Sequence, residues 1–296
     1  PWGTWLSCEE TEPAYTETGF NHGYVFEVPG FGVSDGQPIR EMGRFNHEAA
    51  SVDPATGIVY QTEDRGDSYI YKFEPAGEYG DLKSGGTLYA MVLNETPDFD
   101  TRGLDSGTWH VSWVEVTDYE ATTAPIRRQG LGGALFRRGE GSWFDHGKFY
   151  FCCTSGGSAG EGQIFEYDPR AEKLSILYSS PGASEADGPD NICITPRGGV
   201  LMCEDGGRNP KRLIGLTPSG SVFTFAENRV SLSEADLASV LTPDERPYFV
   251  DSIPTDGSAR SFSGSEWAGA CFYDRWLFVN IQTPGITFAI TGPWER

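Results

Sequence analysis

The stretch HEAASVDPATGIVYQTEDRG, residues 47–66, decides the fold class of this chain. It begins with the polar pair His47-Glu48, continues as a short apolar run and turns at residues 53–57, Asp-Pro-Ala-Thr-Gly. A second apolar run follows and ends in the polar residues 63–66, Glu-Asp-Arg-Gly. Two apolar runs joined by a turn of this composition predict a β-hairpin.

Three later stretches repeat the pattern: GEGSWFDHGKFYFCCTSGG (139–157), DNICITPRGGVLMCEDGG (190–207) and SEWAGACFYDRWLFVNIQTPG (265–285). A third strand-like run follows each hairpin, as in YIYKFEP (69–75). In the first three units a fourth run follows, as in GTLYAMV (86–92). Four antiparallel strands per unit, recurring along the chain, predict an all-β fold of the β-propeller type.

The two ends of the chain fit the same scheme only in part. PWGTWLSCEETE (1–12) has the character of a second strand with GYVFEVPG (23–30) as the third, and the last unit lacks a clear fourth strand. We therefore expect residues 1–296 to form a single propeller domain with five visible units, cut inside a blade at each end. Residues 96–133 are irregular and represent either a sixth blade or an insertion, and residues 231–247 predict a helical insertion.

Composition excludes several classes of protein. The chain has 296 residues and a formal net charge of −21, so no basic stripe is present to neutralise the phosphates of a nucleic acid. No apolar run approaches the ~18 residues that a transmembrane helix needs. The six cysteines form no CxxC pair, and we expect them to be small buried residues. We expect a monomer.

The acidic loop residues indicate a site. In a propeller, the loop before the first strand of a blade and the loop after its second strand open on the same face. The first set of loops holds Glu48, Glu140, Asp190, Asn191 and Glu266. The second set holds Glu9, Glu10, Glu63, Asp64, Glu204 and Asp205. Carboxylates that share one mouth repel each other unless cations bind them, and such oxygen-rich sites favour hard metals. The alternative is that they are ordinary polar loop residues.

Five motifs in preserved order resemble those of the PhoX-type alkaline phosphatases: PWGTWLSCEE (1–10), NHEAAS (46–51), FRRGEG (136–141), DGPDN (187–191) and FVNIQTPG (278–285). The resemblance implies a six-bladed propeller that hydrolyses phosphate monoesters with a carboxylate-held iron–calcium cluster. It also implies export to the periplasm or the extracellular space.

The same resemblance assigns roles to individual residues. Arg138 would contact the substrate phosphate and Glu140 would ligate metal. Further metal ligands would be Glu9 or Glu10, with Glu10 slightly favoured, together with Glu48, Asp190 and Asn191. The loop pattern adds Glu204 and Glu266 to the metal set. The family's metal-binding cysteine lies upstream of the Trp-Gly-Thr-Trp segment, before residue 1, so Ca²⁺ is better supported than Fe³⁺.

Two other functions remain open. A calcium-dependent lactonase of the same architecture would use Glu48, Asn191 and Asp190, but it would leave Arg138 without a role. A secreted, non-catalytic propeller with structural calcium is the third reading. For Arg138 itself the plain alternative is a surface salt bridge with nearby acids, which would contribute under about 1 kcal/mol.

Overall fold

The structure, a computed structural model, describes residues 1–12, 14–15, 20–242, 253–254 and 256–294. Contacts between residues divide the chain into unit 1, residues 1–182, and unit 2, residues 183–296. The single-domain prediction therefore stays a prediction.

Unit 1 begins with two small antiparallel pairs. Strand β1 (Thr4–Cys8) pairs with β4 (Val25–Pro29), and between them β2 (Ala14–Tyr15) pairs with β3 (Phe20–Asn21). The pairing of β1 with β4 confirms that the opening segment and the segment at residues 23–30 are neighbouring strands. A short 3-10 helix, Arg40–Met42, then leads into the main sheet.

The main sheet of unit 1 has nine antiparallel strands. They are β5 (His47–Val52), β6 (Val59–Glu63), β7 (Ile70–Pro75), β8 (Gly86–Leu93), β9 (Thr108–Glu115), β10 (Gly139–Asp145), β11 (Lys148–Cys153), β12 (Gln163–Asp168) and β13 (Lys173–Ser179). Their spatial order is β10-β11-β12-β13-β9-β8-β7-β6-β5. The runs β5–β8 and β10–β13 are the two predicted four-stranded units, with hairpins at the predicted turns.

Strand β9 differs from expectation. Residues 96–133 were expected to be irregular, yet this eight-residue strand pairs with β8 on one side and β13 on the other. Its sequence, TWHVSWVE, buries Trp109 and Val111 while Thr108 and His110 stay exposed. That alternation is typical of a half-buried strand. The rest of the segment includes a second 3-10 helix, Ile126–Arg128.

The nine-stranded sheet curls until its two outer strands approach each other. Ser51 on β5 and Ser142 on β10 share a hydrogen bond between their Oγ atoms at 2.7 Å. Thr62 at the end of β6 donates from Oγ1 to the carbonyl oxygen of Glu140 at 2.6 Å. The sheet is therefore nearly closed, and the ends of β6 and the start of β10 lie together. Aromatic residues fill the interior, with the rings of Phe151 and Phe165 stacked at 4.8 Å.

Unit 2 holds a four-stranded antiparallel sheet of β14 (Pro189–Ile194), β15 (Val200–Glu204), β16 (Arg212–Leu216) and β17 (Val222–Glu227). After it come β18 (Ser231–Leu232), helix α1 (Glu234–Val240), β19 (Arg260–Ser261) and the three-stranded sheet β20 (Trp267–Tyr273), β21 (Trp276–Ile281) and β22 (Ile286–Thr291). Ser233 caps α1 in a capping box with Asp236, a motif that starts helices. Helix α1 confirms part of the predicted insertion at 231–247, whose last residues, 243–247, lie outside the described residues.

The described chain is thus nearly all-β, as predicted, and contains three four-stranded antiparallel units. A six-bladed propeller is not established and stays a prediction. No helix within the described ranges has the length and apolar character needed to cross a bilayer.

Candidate active site

Arg138 lies directly before β10 with its backbone in the left-handed region, at φ +56°. This conformation is unfavourable for a residue with a side chain, so surrounding contacts must hold it. The Arg138 N–H donates to the Arg65 carbonyl at 2.8 Å, and the Arg138 carbonyl accepts from the Thr154 N–H at 3.0 Å. The backbone of Arg138 is therefore anchored on both sides.

Two carboxylates orient the Arg138 side chain. Nε donates to Asp64 Oδ1 at 2.9 Å, and Nη2 donates to Glu140 Oε1 at 2.6 Å. The Glu140 side chain is 2% exposed, whereas that of Arg138 is 39% exposed. The guanidinium thus contacts a buried carboxylate while part of the Arg138 side chain reaches solvent. Its neighbour Arg137 is exposed.

The loops that carry the predicted residues of unit 1 are adjacent. The His47 N–H donates to the Glu9 carbonyl at 3.2 Å, and the Asp64 N–H donates to the Asn46 carbonyl at 3.1 Å. Asp64 in turn binds Arg138. The structure therefore brings together the loops after β1 and β6 and the loops before β5 and β10. Their roles in metal binding stay predictions.

Glu9 is occupied by protein donors. Oε1 lies 2.8 Å from His22 Nδ1, and Oε2 accepts from the backbone N–H groups of Gly23 at 2.9 Å and Tyr24 at 3.2 Å. These contacts order the segment that follows β1. The choice between Glu9 and Glu10 as a metal ligand stays a prediction.

Glu48 lies near Cys8 at the end of β1. Burial, with the negative charge of Glu48 adding to it, raises the pKa of the Cys8 thiol to about 12. The preceding residue, His47, is fully buried, with Nε2 3.0 Å from the Gly43 carbonyl and its ring stacked on Phe45 at 3.6 Å. Burial lowers the pKa of His47 to about 3, so the ring is neutral and serves to position the strand that carries Glu48.

Glu63 ends strand β6 and is held by three neighbouring donors. Its Oε1 accepts from Arg127 Nη1 at 2.6 Å, and its Oε2 accepts from the Tyr71 hydroxyl at 3.0 Å and the Tyr69 N–H at 3.2 Å. Burial raises the pKa of Glu63 to about 7, although Arg127 and the hydrogen bonds oppose that rise. Because Arg127 contacts Glu63 directly, we interpret the two side chains as an ion pair that fixes the end of β6.

In unit 2, the predicted residues at the start of β14 and before β20 form an acidic group. Burial, followed by the charges of Asp205 and Asp190, raises the pKa of Glu266 to about 8, while Lys211 opposes the rise. Lys211 Nζ lies 3.4 Å from Asp205 Oδ1. Asn191 follows Asp190 on β14 and pairs with β15. Asp205 and Asp190 therefore each lie close enough to Glu266 to act on its charge.

Glu204, predicted as a metal ligand, is engaged elsewhere. Oε1 accepts from Arg212 Nη2 at 2.6 Å and from the Asp187 N–H at 2.9 Å, and Oε2 accepts from Arg212 Nε at 2.9 Å and from the Arg212 N–H at 3.0 Å. Both side chains are nearly inaccessible to solvent. This geometry is that of a buried two-pronged ion pair, and it disfavours Glu204 as a metal ligand.

Metal binding by the acidic group of unit 2 can be judged from its geometry and from its charge. In the described part of the chain, no three His, Cys, Asp or Glu side chains converge in a geometry that would hold a metal ion. The repulsion at Glu266 nevertheless shows that Asp190, Asp205 and Glu266 are neighbours. A cation bound among them would relieve that repulsion, and carboxylate oxygens are the ligands that hard cations prefer. The described geometry does not bring three of these side chains together around one point, so metal binding by this group stays a prediction.

Sequence reasoning missed two partners. Asp64 was counted among the loop acids but not assigned to Arg138, because the two residues are far apart in sequence. Arg127 lies in the segment expected to be irregular and showed no pattern. The run Glu63-Asp64-Arg65 could have indicated these contacts, because consecutive charged residues at the end of a strand usually form ion pairs.

A family model for alkaline phosphatase PhoX matches residues 1–285 of the chain. No curated protein matches the chain significantly.

Proposed function

We propose that this chain, which belongs to the PhoX alkaline phosphatase family, hydrolyses phosphate monoesters with Arg138 on the substrate phosphate. Membership supports a phosphatase function at the level of reaction class. The residue roles, the metals and the ester class are our proposal.

The observation that carries the proposal is the placement of Arg138. Its guanidinium is oriented by Asp64 and Glu140, and over a third of the side chain is exposed. A planar guanidinium can bind two phosphate oxygens at once. Because its orientation is set before the substrate arrives, little ordering is needed when charge develops on the phosphoryl oxygens. A plain surface salt bridge would need neither the strained backbone nor a buried carboxylate partner.

Net charge explains why cations belong to the same proposal. The chain carries −21, and a phosphate monoester carries up to two further negative charges, so carboxylates alone would repel it. We propose that Glu10, Glu48 and Glu140 in unit 1, and Asp190, Asn191 and Glu266 in unit 2, hold hard cations. Calcium is our first choice and ferric iron the second. When bound, such ions polarise phosphoryl oxygens and lower the pKa of a bound water.

The residues of the chain then have separate tasks. Arg138 binds and orients the phosphate, and it stabilises charge on the phosphoryl oxygens as the ester bond breaks. Glu140 and Asp64 keep the guanidinium in place. Attack by water, in line with the leaving oxygen, needs no nucleophile from the protein. His47 is buried against Phe45 and the Gly43 carbonyl, and we give it no role in proton transfer.

The wider architecture is also proposed. Three four-stranded antiparallel units support a six-bladed propeller in a single domain. We further propose a monomer that acts in the periplasm or outside the cell, where phosphate esters are available.

A substrate panel tests the proposed reaction. Purified protein with calcium is given p-nitrophenyl phosphate, bis(p-nitrophenyl) phosphate and a chromogenic lactone. The proposal predicts release of p-nitrophenol from the monoester at a rate far above that from the diester, and no lactone opening. Lactone turnover without monoester turnover would favour the lactonase. Calcium binding with no turnover of any compound would favour a binding protein.

A further inference from the structure

A polar cleft of unit 1 remains without a role in the proposed reaction. It has a volume of about 400 Å³ and is lined by Glu12, Arg44, Arg65, Ala121 and Pro125. That volume lies within the range of clefts that bind small molecules. Two arginines in one cleft are unusual in a chain with 43 acidic and only 22 basic residues.

Arg44 carries a positive charge without a carboxylate partner in the described part of the chain. Its Nε donates to the His22 carbonyl at 3.0 Å, and its Nη2 donates to the Glu12 carbonyl. Both acceptors are neutral. The charge of this half-buried guanidinium is therefore not cancelled by the contacts that hold it in place.

Arg65 is compensated only weakly. Its Nη1 donates to the Asp64 carbonyl at 3.0 Å, and its Nε lies 3.8 Å from Glu12 Oε1. The same Glu12 oxygen already accepts from Arg127 Nη1 at 2.7 Å. Arg127 also pairs with Glu63 and Asp67. Among the described residues that line the cleft, two arginines therefore face the single carboxylate of Glu12. Such a site favours an anion.

The loop that contributes Ala121 and Pro125 to the cleft is held in shape by hydrogen bonds to Asp118. Thr122 and Thr123 each donate to the Asp118 carboxylate from both the backbone N–H and the hydroxyl, at 2.7–3.0 Å. These hydrogen bonds lower the pKa of Asp118 to about 2, so the carboxylate stays charged at neutral pH. The loop that contributes Ala121 and Pro125 is therefore held in shape before a ligand binds.

The cleft adjoins the phosphate-binding arginine. Arg65 follows Asp64, which binds the Arg138 side chain, and the Arg65 carbonyl accepts from the Arg138 N–H at 2.8 Å. The backbones of Arg65 and Arg138 are therefore in direct contact.

We propose that Arg44 and Arg65 form a subsite for a second oxyanionic group of the substrate, so that the preferred esters carry another phosphate or a carboxylate besides the phosphate that is cleaved. This inference rests on the proposed phosphatase function. It selects among esters and adds nothing to the chemical step itself.

Kinetics with matched esters test the subsite. A series of α,ω-alkanediol bisphosphates of increasing length is compared with the corresponding monophosphates and with ω-carboxyalkyl phosphates. For at least one length we expect KM to be about tenfold lower than for the monophosphate, since one charge-assisted contact is worth about that factor. In Arg65→Gln, and separately in Arg44→Gln, the KM of the monophosphate divided by the KM of the bisphosphate should fall towards one. Arg40→Gln is the matched control, because Arg40 pairs with Glu120 and does not line the cleft. Preference for the bisphosphate alone, or also for the carboxylate, identifies the second group.

Direct binding gives a readout that does not need turnover. Inorganic sulfate is titrated calorimetrically into chelator-treated Arg138→Ala protein, which lacks the guanidinium proposed to bind the substrate phosphate and whose fold has been checked by circular dichroism. The further variants are made in the same background. We expect one weak site that is lost in Arg65→Gln and in Arg44→Gln and retained in Arg40→Gln. Equal sulfate binding by all variants, or no length with a lower KM, would overturn the subsite. If monophosphates are cleaved but a second anionic group does not lower KM at any length, only the subsite proposal is contradicted. If no ester is cleaved, the proposed function fails, and sulfate binding still decides the subsite.

Discussion

Arg138 combines an unfavourable backbone conformation with two carboxylate partners, and each feature constrains what the residue can do. Asp64 and Glu140 orient the guanidinium, and the backbone of Arg138 lies in the left-handed region at φ +56°. A residue held in this way suits recognition of a planar arrangement of oxygens better than a freely moving lysine would.

Replacement of Arg138 should therefore affect chemistry and not metal content. In Arg138→Ala we expect kcat/KM for p-nitrophenyl phosphate to fall by roughly 10²- to 10³-fold, the usual effect of removing one donor to a developing oxyanion. Arg137→Ala, an exposed neighbour with the same charge, should stay within about twofold. Steady-state kinetics with metal analysis of each variant measures this. Loss of bound metal in Arg138→Ala would instead indicate a structural role for the arginine.

The pair of Glu204 and Arg212 should behave as a structural element. Arg212→Met leaves a carboxylate uncompensated in the interior, so we expect the free energy of unfolding to fall by about 3–5 kcal/mol. Arg229→Met is the control, because Arg229 is 72% exposed and its pair with Glu227 should contribute under about 1 kcal/mol. Urea unfolding followed by tryptophan fluorescence gives both values. Similar small losses in the two variants would contradict the assignment.

At the scale of elements, β9 joins the two four-stranded runs of unit 1 into one sheet. It pairs with β8 on one side and β13 on the other, and its buried Val111 donates its N–H to the Glu172 carbonyl at 2.8 Å. The strand is thus central in space, although its sequence neighbours are irregular.

Val111→Pro should destabilise unit 1 strongly. Proline removes that buried hydrogen bond and disturbs the packing, and we expect a loss of roughly 3 kcal/mol. Val111→Ala removes only packing and should lose less. Urea unfolding of both variants checks the difference. Equal losses would mean that β9 contributes through its side chain and not through its pairing.

Most elements could be predicted from sequence because local chemistry specifies them. The turn at residues 53–57 and the alternation around it predict β5 and β6 without any knowledge of distant residues. Strand β9 could not be placed, because its partners β8 and β13 are not joined to it by a short turn. The same limit applies to the site. Arg138 and Glu140 are separated by one residue and could be paired from sequence, whereas Asp64 lies on another hairpin. The ion pair of Glu204 with Arg212 depends on burial, which the loop pattern does not reveal.

At the scale of the whole molecule, the dominant fact is the charge of −21. Such a chain repels phosphate esters at long range, and this repulsion acts over about 8 Å at physiological salt. The proposed activity towards these anions therefore requires a local reversal of sign, by the few arginines and by the cations that we propose on the carboxylates. Burial, with the charges of Asp205 and Asp190 adding to it, raises the pKa of Glu266, so part of this excess of negative charge is felt locally.

Metal removal and return test the account most directly. Turnover of p-nitrophenyl phosphate and bound metal are measured on one protein sample before chelation, after chelation, and after addition of Ca²⁺, Fe³⁺ or both. The account predicts that turnover disappears with the metal while the fold, followed by circular dichroism, persists, and that turnover returns with Ca²⁺ alone or with Fe³⁺. Undiminished turnover by folded protein from which all metal has been removed would contradict it.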